Sequence, residues 1–149
     1  MNFAHLHLVL THFPPVLSVV GAISAAVGVI RRRRESVHLA LLLLIAVGAM
    51  MPIVYIAGDR AADAIGRVDG VQQEAIAPHQ EAATLALWIS IGVALVAAAL
   101  LIVERRSGGL SPRLRALTLV AAILAVLPIG RADALGGAIH HPEINSTAR

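Results

Sequence analysis

Apolar residues gather in four runs, at 13–30, 38–57, 82–103 and 114 to about 129, and the charges fall between them. A helix needs roughly 20 residues to cross the hydrocarbon core of a bilayer. The second and third runs meet that length outright. The first meets it with residues 8–12 included, and the fourth if its helix continues past Arg131 and Asp133 to the Gly136-Gly137 pair. The pattern predicts an all-α polytopic membrane protein. It is read as one domain over residues 1–149, a four-helix transmembrane bundle with helices at about 8–30, 38–57, 79–103 and 114–139. Only one connection, 58–78, is long. There Ala61, Ala62, Ile65 and Val68 recur at helical spacing behind Asp59. This predicts a short amphipathic loop helix, capped by Asp59 and laid over the end of the bundle. Pro78 is expected near the first turn of the third helix, Pro128 to kink the fourth and Pro142 to end it.

Composition agrees, since a chain that is 58% hydrophobic and 14% charged is too apolar for an ordinary soluble domain. No basic region or cleavage site of a signal peptide precedes the first run, which is therefore expected to stay in the mature protein. The absence of cysteine removes disulfides, thiolate zinc sites, iron–sulfur clusters and covalently attached haem. The net charge of +3 is no nucleic-acid signal, because eight of the twelve arginines sit in two short connections. These are Arg31 to Arg34, and Arg105, Arg106, Arg113 and Arg115, with only Glu35 and Glu104 beside them. The opposite face carries four arginines and seven acids. The positive-inside rule then places both arginine connections in the cytoplasm and both termini outside, N-out and C-out. Phe3, Phe13, Tyr55 and Trp88 are too few and too scattered to stack bases.

Six of the seven histidines fall on the outer face, and His38 alone lies at the arginine end. At about 1.5 Å per residue, His12 sits at the edge of the hydrocarbon. His7 and His79 lie about one turn above it, and His140 and His141 about two. Ionisable groups within membrane segments are expensive and usually functional, and imidazole is the commonest metal ligand. The pair His12 and His79 is the first candidate for ligation, with His7 and His141 next as ligands or as partners of an anionic group. Glu81 and Glu143, each two residues from a histidine, can fix an imidazole tautomer. His5 and His140 are read as polar residues facing headgroups, and His38 as structural or lipid-facing. The loop acids Asp59, Asp63, Asp69 and Glu74 are read as a solvated face, Met50 and Met51 as gap-fillers, and Gly21, Ala25 and Gly28 as close-packing positions. No nucleophile, base and orienter stand together, so an electron carrier or complex subunit is expected rather than a stand-alone enzyme.

These motifs resemble a family of uncharacterised bacterial four-helix membrane proteins, a domain of unknown function. Its members open with His-(any four)-His-Phe-Pro, here His7 to Pro14. They carry a histidine with acidic or amide neighbours at the head of the third helix, here His79-Gln80-Glu81. They close on a Gly-Gly-x-Ile-x-His-Pro-Glu-Ile ending, here Gly136 to Ile144. The resemblance spans almost the whole chain. It implies His7, His12, His79 and His141 as the site positions, a multi-pass protein of the bacterial inner membrane, and redox biology, since relatives occur fused to or beside cytochromes.

The reading expected from these residues is a membrane b-type haem protein, or a haem-carrying subunit of an electron-transfer complex. An apolar slot between helices, one or two facing imidazoles, and cations for the propionates are what such a cofactor needs. Arg60 and Arg131 are the expected propionate partners. One alternative is a copper or zinc site on His7, His12, His79 and His141, which would gather three or more imidazoles around one point. The other is a cofactor-free accessory subunit packed in a larger complex. Partners expected are the lipid bilayer and a membrane or periplasmic redox protein such as a cytochrome, with no nucleic acid; a homo-oligomer or complex subunit fits equally.

Overall fold

The computed structural model describes residues 3–65 and 73–140, without the side chains of a few residues beside those limits. Five helices follow one another: α1 (Phe3–Leu10), α2 (Phe13–Ile30), α3 (Arg34–Ile65), α4 (Gln73–Ser107) and α5 (Pro112–His140). Four stretches are long and apolar enough to cross a membrane: His7–Ile30, Arg34–Ala61, Ile76–Ser107 and Pro112–Gly137. The chain is an all-α, four-helix, multi-pass membrane bundle. Its outer surface agrees, because Trp88, Leu95 and Leu127 are about two-thirds exposed and suited only to lipid (65%, 68% and 65%).

Three boundaries differ from the sequence expectation, the first two for a backbone reason. The first helix is broken at Thr11-His12, between α1 and α2. Pro14 and Pro15 have no N–H to offer the carbonyls of Leu10 and Thr11, so the ladder stops there, and the prolines occupy the first positions of α2 instead. No separate loop helix starts at Asp59. Asp59 lies inside α3, which runs on to Ile65. A lone Gly58 opposes helix by about 1 kcal/mol, too little to stop a ladder carried on by Asp59-Arg60-Ala61-Ala62. The third expected helix starts earlier than Pro78: α4 begins at Gln73 and holds Pro78 in its interior. Pro128 likewise lies inside α5, while Val68 and Pro142 lie outside the described residues.

The spanning helices form a ring in which α2 packs on α3, α3 on α4, α4 on α5 and α5 on α2, with α1 laid against α3. Small residues allow these close approaches, as helix packing in lipid requires. A Cβ on Gly48 would stand 2.3 Å from the Cβ of Ala94 and 2.8 Å from the carbonyl oxygen of Ser90. Gly28 is pressed in the same way against Val37.

The buried positions reveal a repeat. Moving 72 residues along the chain carries Ser18 to Ser90 and Ala25 to Ala97, all fully buried. Moving 78 residues carries Ala40 to Thr118, Leu44 to Ala122, Val47 to Ala125, Met51 to Ile129 and Val54 to Ala132, again all buried. The bundle is therefore one helical hairpin built twice, α1 to α3 and then α4 to α5.

At the arginine end, α3 is clamped to α4 by an ion network. Arg34 Nε donates to Glu104 Oε1 at 2.7 Å, and His38 Nδ1 lies 2.7 Å from Glu104 Oε2. Glu104 is 1% exposed. His38 is thus structural, as expected, but by bonding to an acid that sequence placed merely in a loop.

Candidate functional site

At the opposite end the helices splay around a cavity of about 580 Å³, within the roughly 300–1,000 Å³ usual for small-molecule sites. Its floor is a layer of four residues, Pro14, Met51, Ala86 and Ile129, one from each spanning helix. They obey the repeat, with Pro14 matching Ala86 and Met51 matching Ile129. Both central histidines of the two hairpins, His7 and His79, line the walls.

The two imidazoles are seated alike. His7 Nδ1 donates to the carbonyl of Val54 at 3.1 Å, and His79 Nδ1 donates to the carbonyl of Ala132 at 2.9 Å. A carbonyl can only accept, so in each neutral ring the proton is on Nδ1 and the lone pair is on Nε2. One turn beyond each acceptor stands a glycine. A Cβ on Gly58 would lie 2.7 Å from His7 Cε1, and one on Gly136 would lie 3.0 Å from His79 Cε1. With a Cβ at these positions each ring would have to shift from its present seat, by more at Gly58 than at Gly136. His7 and His79 are 72 residues apart, and Val54 and Gly58 are each 78 from Ala132 and Gly136, so the whole seat is duplicated with the hairpin.

Tyr55 forms another part of the wall. Thr84 donates its hydroxyl to the carbonyl of Gln80 at 2.8 Å, which leaves Tyr55 to donate to Thr84 Oγ1 at 3.1 Å. This ties α3 to α4 beside the cavity and fixes the phenol ring.

The remaining candidates are distributed as follows. His12 lies at the helix break, exposed, where it lines the cavity without capping α2 by a side-chain hydrogen bond. His5 is exposed and does not line the cavity. His140 closes α5, and His141 and Glu143 lie outside the described residues. The two expected propionate partners are displaced from the site. Arg131 belongs to a shallow groove on the outer side of α4 and α5, with Glu81 and Trp88, and Arg60 is exposed outside the cavity lining. A helix presents neighbouring positions to different faces, and Asp59 and Asp133 are the charged residues turned to the cavity here. Among the described residues, no three His, Cys, Asp or Glu side chains gather as a metal site. Sequence reasoning missed Gly58 and Gly136. The signal that would have found them is the constant offset from one hairpin to the next.

Fold and site together define a small multi-pass membrane protein, a duplicated helical hairpin with a paired-histidine cavity at one end. No family model, curated protein or solved structure matches the chain.

Proposed function

We propose that this is a membrane b-type haem protein, an electron carrier or the haem-carrying subunit of an electron-transfer complex. His7 and His79 would be the residues that hold the haem. The observation that carries the reading is the matched pair of imidazoles, one per hairpin, each holding its Nε2 lone pair available because Nδ1 donates to a backbone carbonyl. Imidazoles that ligate metals are commonly fixed by such a bond through the other nitrogen. His7 replaces His12 as the partner of His79, because His12 has no such seat.

Haem, when bound, supplies a one-electron couple with no proton or group transferred. The chain's own residues supply the pocket and the seats of the rings, while the described lining offers no arginine or lysine to the propionates. The apolar floor excludes water from the deep end of the cavity, the carbonyls of Val54 and Ala132 hold the rings, and Gly58 and Gly136 let the rings approach. The positive-inside rule supports an orientation with the arginine end in the cytoplasm. The site would then face the periplasm of a bacterial inner membrane, within reach of a redox protein such as a cytochrome. The motif resemblance to the bacterial four-helix family supports the same setting.

A histidine-ligated copper site is the second reading, favoured by Met51 on the cavity floor, whose thioether suits copper(I). It needs a third ligand beyond the two seated imidazoles. An optical spectrum of the dithionite-reduced protein, purified from membranes supplied with haem, separates the readings. Sharp bands of six-coordinate ferrous haem are expected. A colourless protein with near-stoichiometric copper would establish the second reading, and one with neither haem nor metal would leave a cofactor-free accessory subunit.

A further inference from the structure

The repeat fails at one informative place. The residue after each acceptor carbonyl is Tyr55 in the first hairpin and Asp133 in the second, and both line the cavity. Tyr55 is neutral and tied to Thr84. Asp133 makes no hydrogen bond or ion pair among the described residues, and neither does Asp59, the other carboxylate of the lining. The described lining contains neither arginine nor lysine. The matched pair of imidazoles thus shares its cavity with two carboxylates, Asp59 on α3 and Asp133 on α5, with Asp133 standing where the first hairpin has the neutral Tyr55.

We propose that Asp133 is a potential-setting residue, with Asp59 a weaker second, resting on the haem reading above. A ferric bis-imidazole haem carries one more positive charge at its centre than the ferrous form. A negative charge on the cavity wall stabilises that extra charge by Coulomb attraction, moderated by water because both carboxylates are exposed. The oxidised state is favoured and the midpoint potential is lowered. Asp133 exerts the larger effect because it directly follows the carbonyl that seats His79. Asp59 lies beyond the glycine of the other seat, one turn further along its helix from Val54. Neither carboxylate is engaged in holding the bundle together, so their placement on this wall has no packing role that explains it.

The test is an optical redox titration of the full-length, haem-loaded protein in lipid nanodiscs. D133N should raise the ferrous-to-ferric ratio about threefold at a fixed potential, about 28 mV for one electron. D59N should move it in the same direction by less, and D133E should stay at the wild-type value. E81Q removes an equal charge from the outer groove rather than the cavity, and should move it least. A D133N shift no larger than that of E81Q overturns the inference while leaving the haem reading intact. If D133N fails to retain haem, D133E decides: a wild-type potential supports the role of the charge, and a raised one overturns it. Wild-type protein that takes up no haem overturns both readings together.

Discussion

The two ends of the bundle both hold histidines, and they use them in opposite ways. At the arginine end, His38 meets the buried carboxylate of Glu104, whose other oxygen is taken by Arg34. Its Nδ1 is engaged in an ion network, which joins α3 to α4. At the histidine end, His7 and His79 meet neutral backbone carbonyls beside a cavity. A carbonyl fixes the tautomer and orientation of a ring without neutralising any charge it binds. His38 is therefore part of the scaffold, joined to a carboxylate whose other oxygen is also engaged, while His7 and His79 are held by carbonyls with a cavity beside them. Composition cannot make that distinction, because the residue type is the same.

The sharpest way to break this contrast is to remove the rings. On the proposed haem reading, His79→Ala and His7→Ala should each reduce haem retention by at least about a hundredfold, since loss of a ligand would matter more than the 10–100-fold typical of its supporting groups. His38→Ala should retain haem. Difference spectra at equal protein concentration check this, and loss of haem in His38→Ala with retention in His79→Ala would reverse the roles of the two ends.

Glu104→Ala should act on the other side of the comparison. Removing one partner of a buried ion network lowers stability by about 3 kcal/mol, the low end of the usual range because Arg34 is half exposed and rehydrates. Denaturation in mild detergent measures it. The haem spectrum of the folded fraction should be unchanged.

Glycines sharpen the contrast further. Gly136→Ala and Gly58→Ala push only on an imidazole edge, so the rings shift and haem retention falls about tenfold while the fold persists. Gly48→Ala pushes on Ala94 and on the backbone of Ser90, which cannot move aside, and should destabilise the bundle by about 1–3 kcal/mol. Parallel measurement of melting and haem retention separates the two kinds of glycine. Gly136→Ala that melts like Gly48→Ala would make the seat a packing contact rather than part of a site.

The smallest expected effect is that of Tyr55→Phe. Loss of its hydrogen bond to Thr84 should lower stability by about 1 kcal/mol and leave the reduced spectrum in place. A lost spectrum would instead put the phenol among the groups that hold the ligand.

Much of this molecule was written in one dimension. Apolar run lengths determine four spans because a bilayer has one thickness and its core cannot solvate a peptide backbone. The clustering of arginines marks one end, and the grouping of histidines marks the other as the candidate site. Which histidines matter was not decided there. Depth along a helix puts His7, His12 and His79 within about a turn of one another, but a helix turns by roughly a quarter circle per residue. Only the packed structure shows that His7 and His79 reach a facing carbonyl, that Arg131 turns to the outer groove while Asp133 turns inward, and that Glu104 is buried in an ion network rather than solvated in a loop. The sequence by itself determined the four spans, because those depend on hydropathy along the chain. The seats of the imidazoles were decided by tertiary structure, because they depend on which helix faces which, and at what rotation.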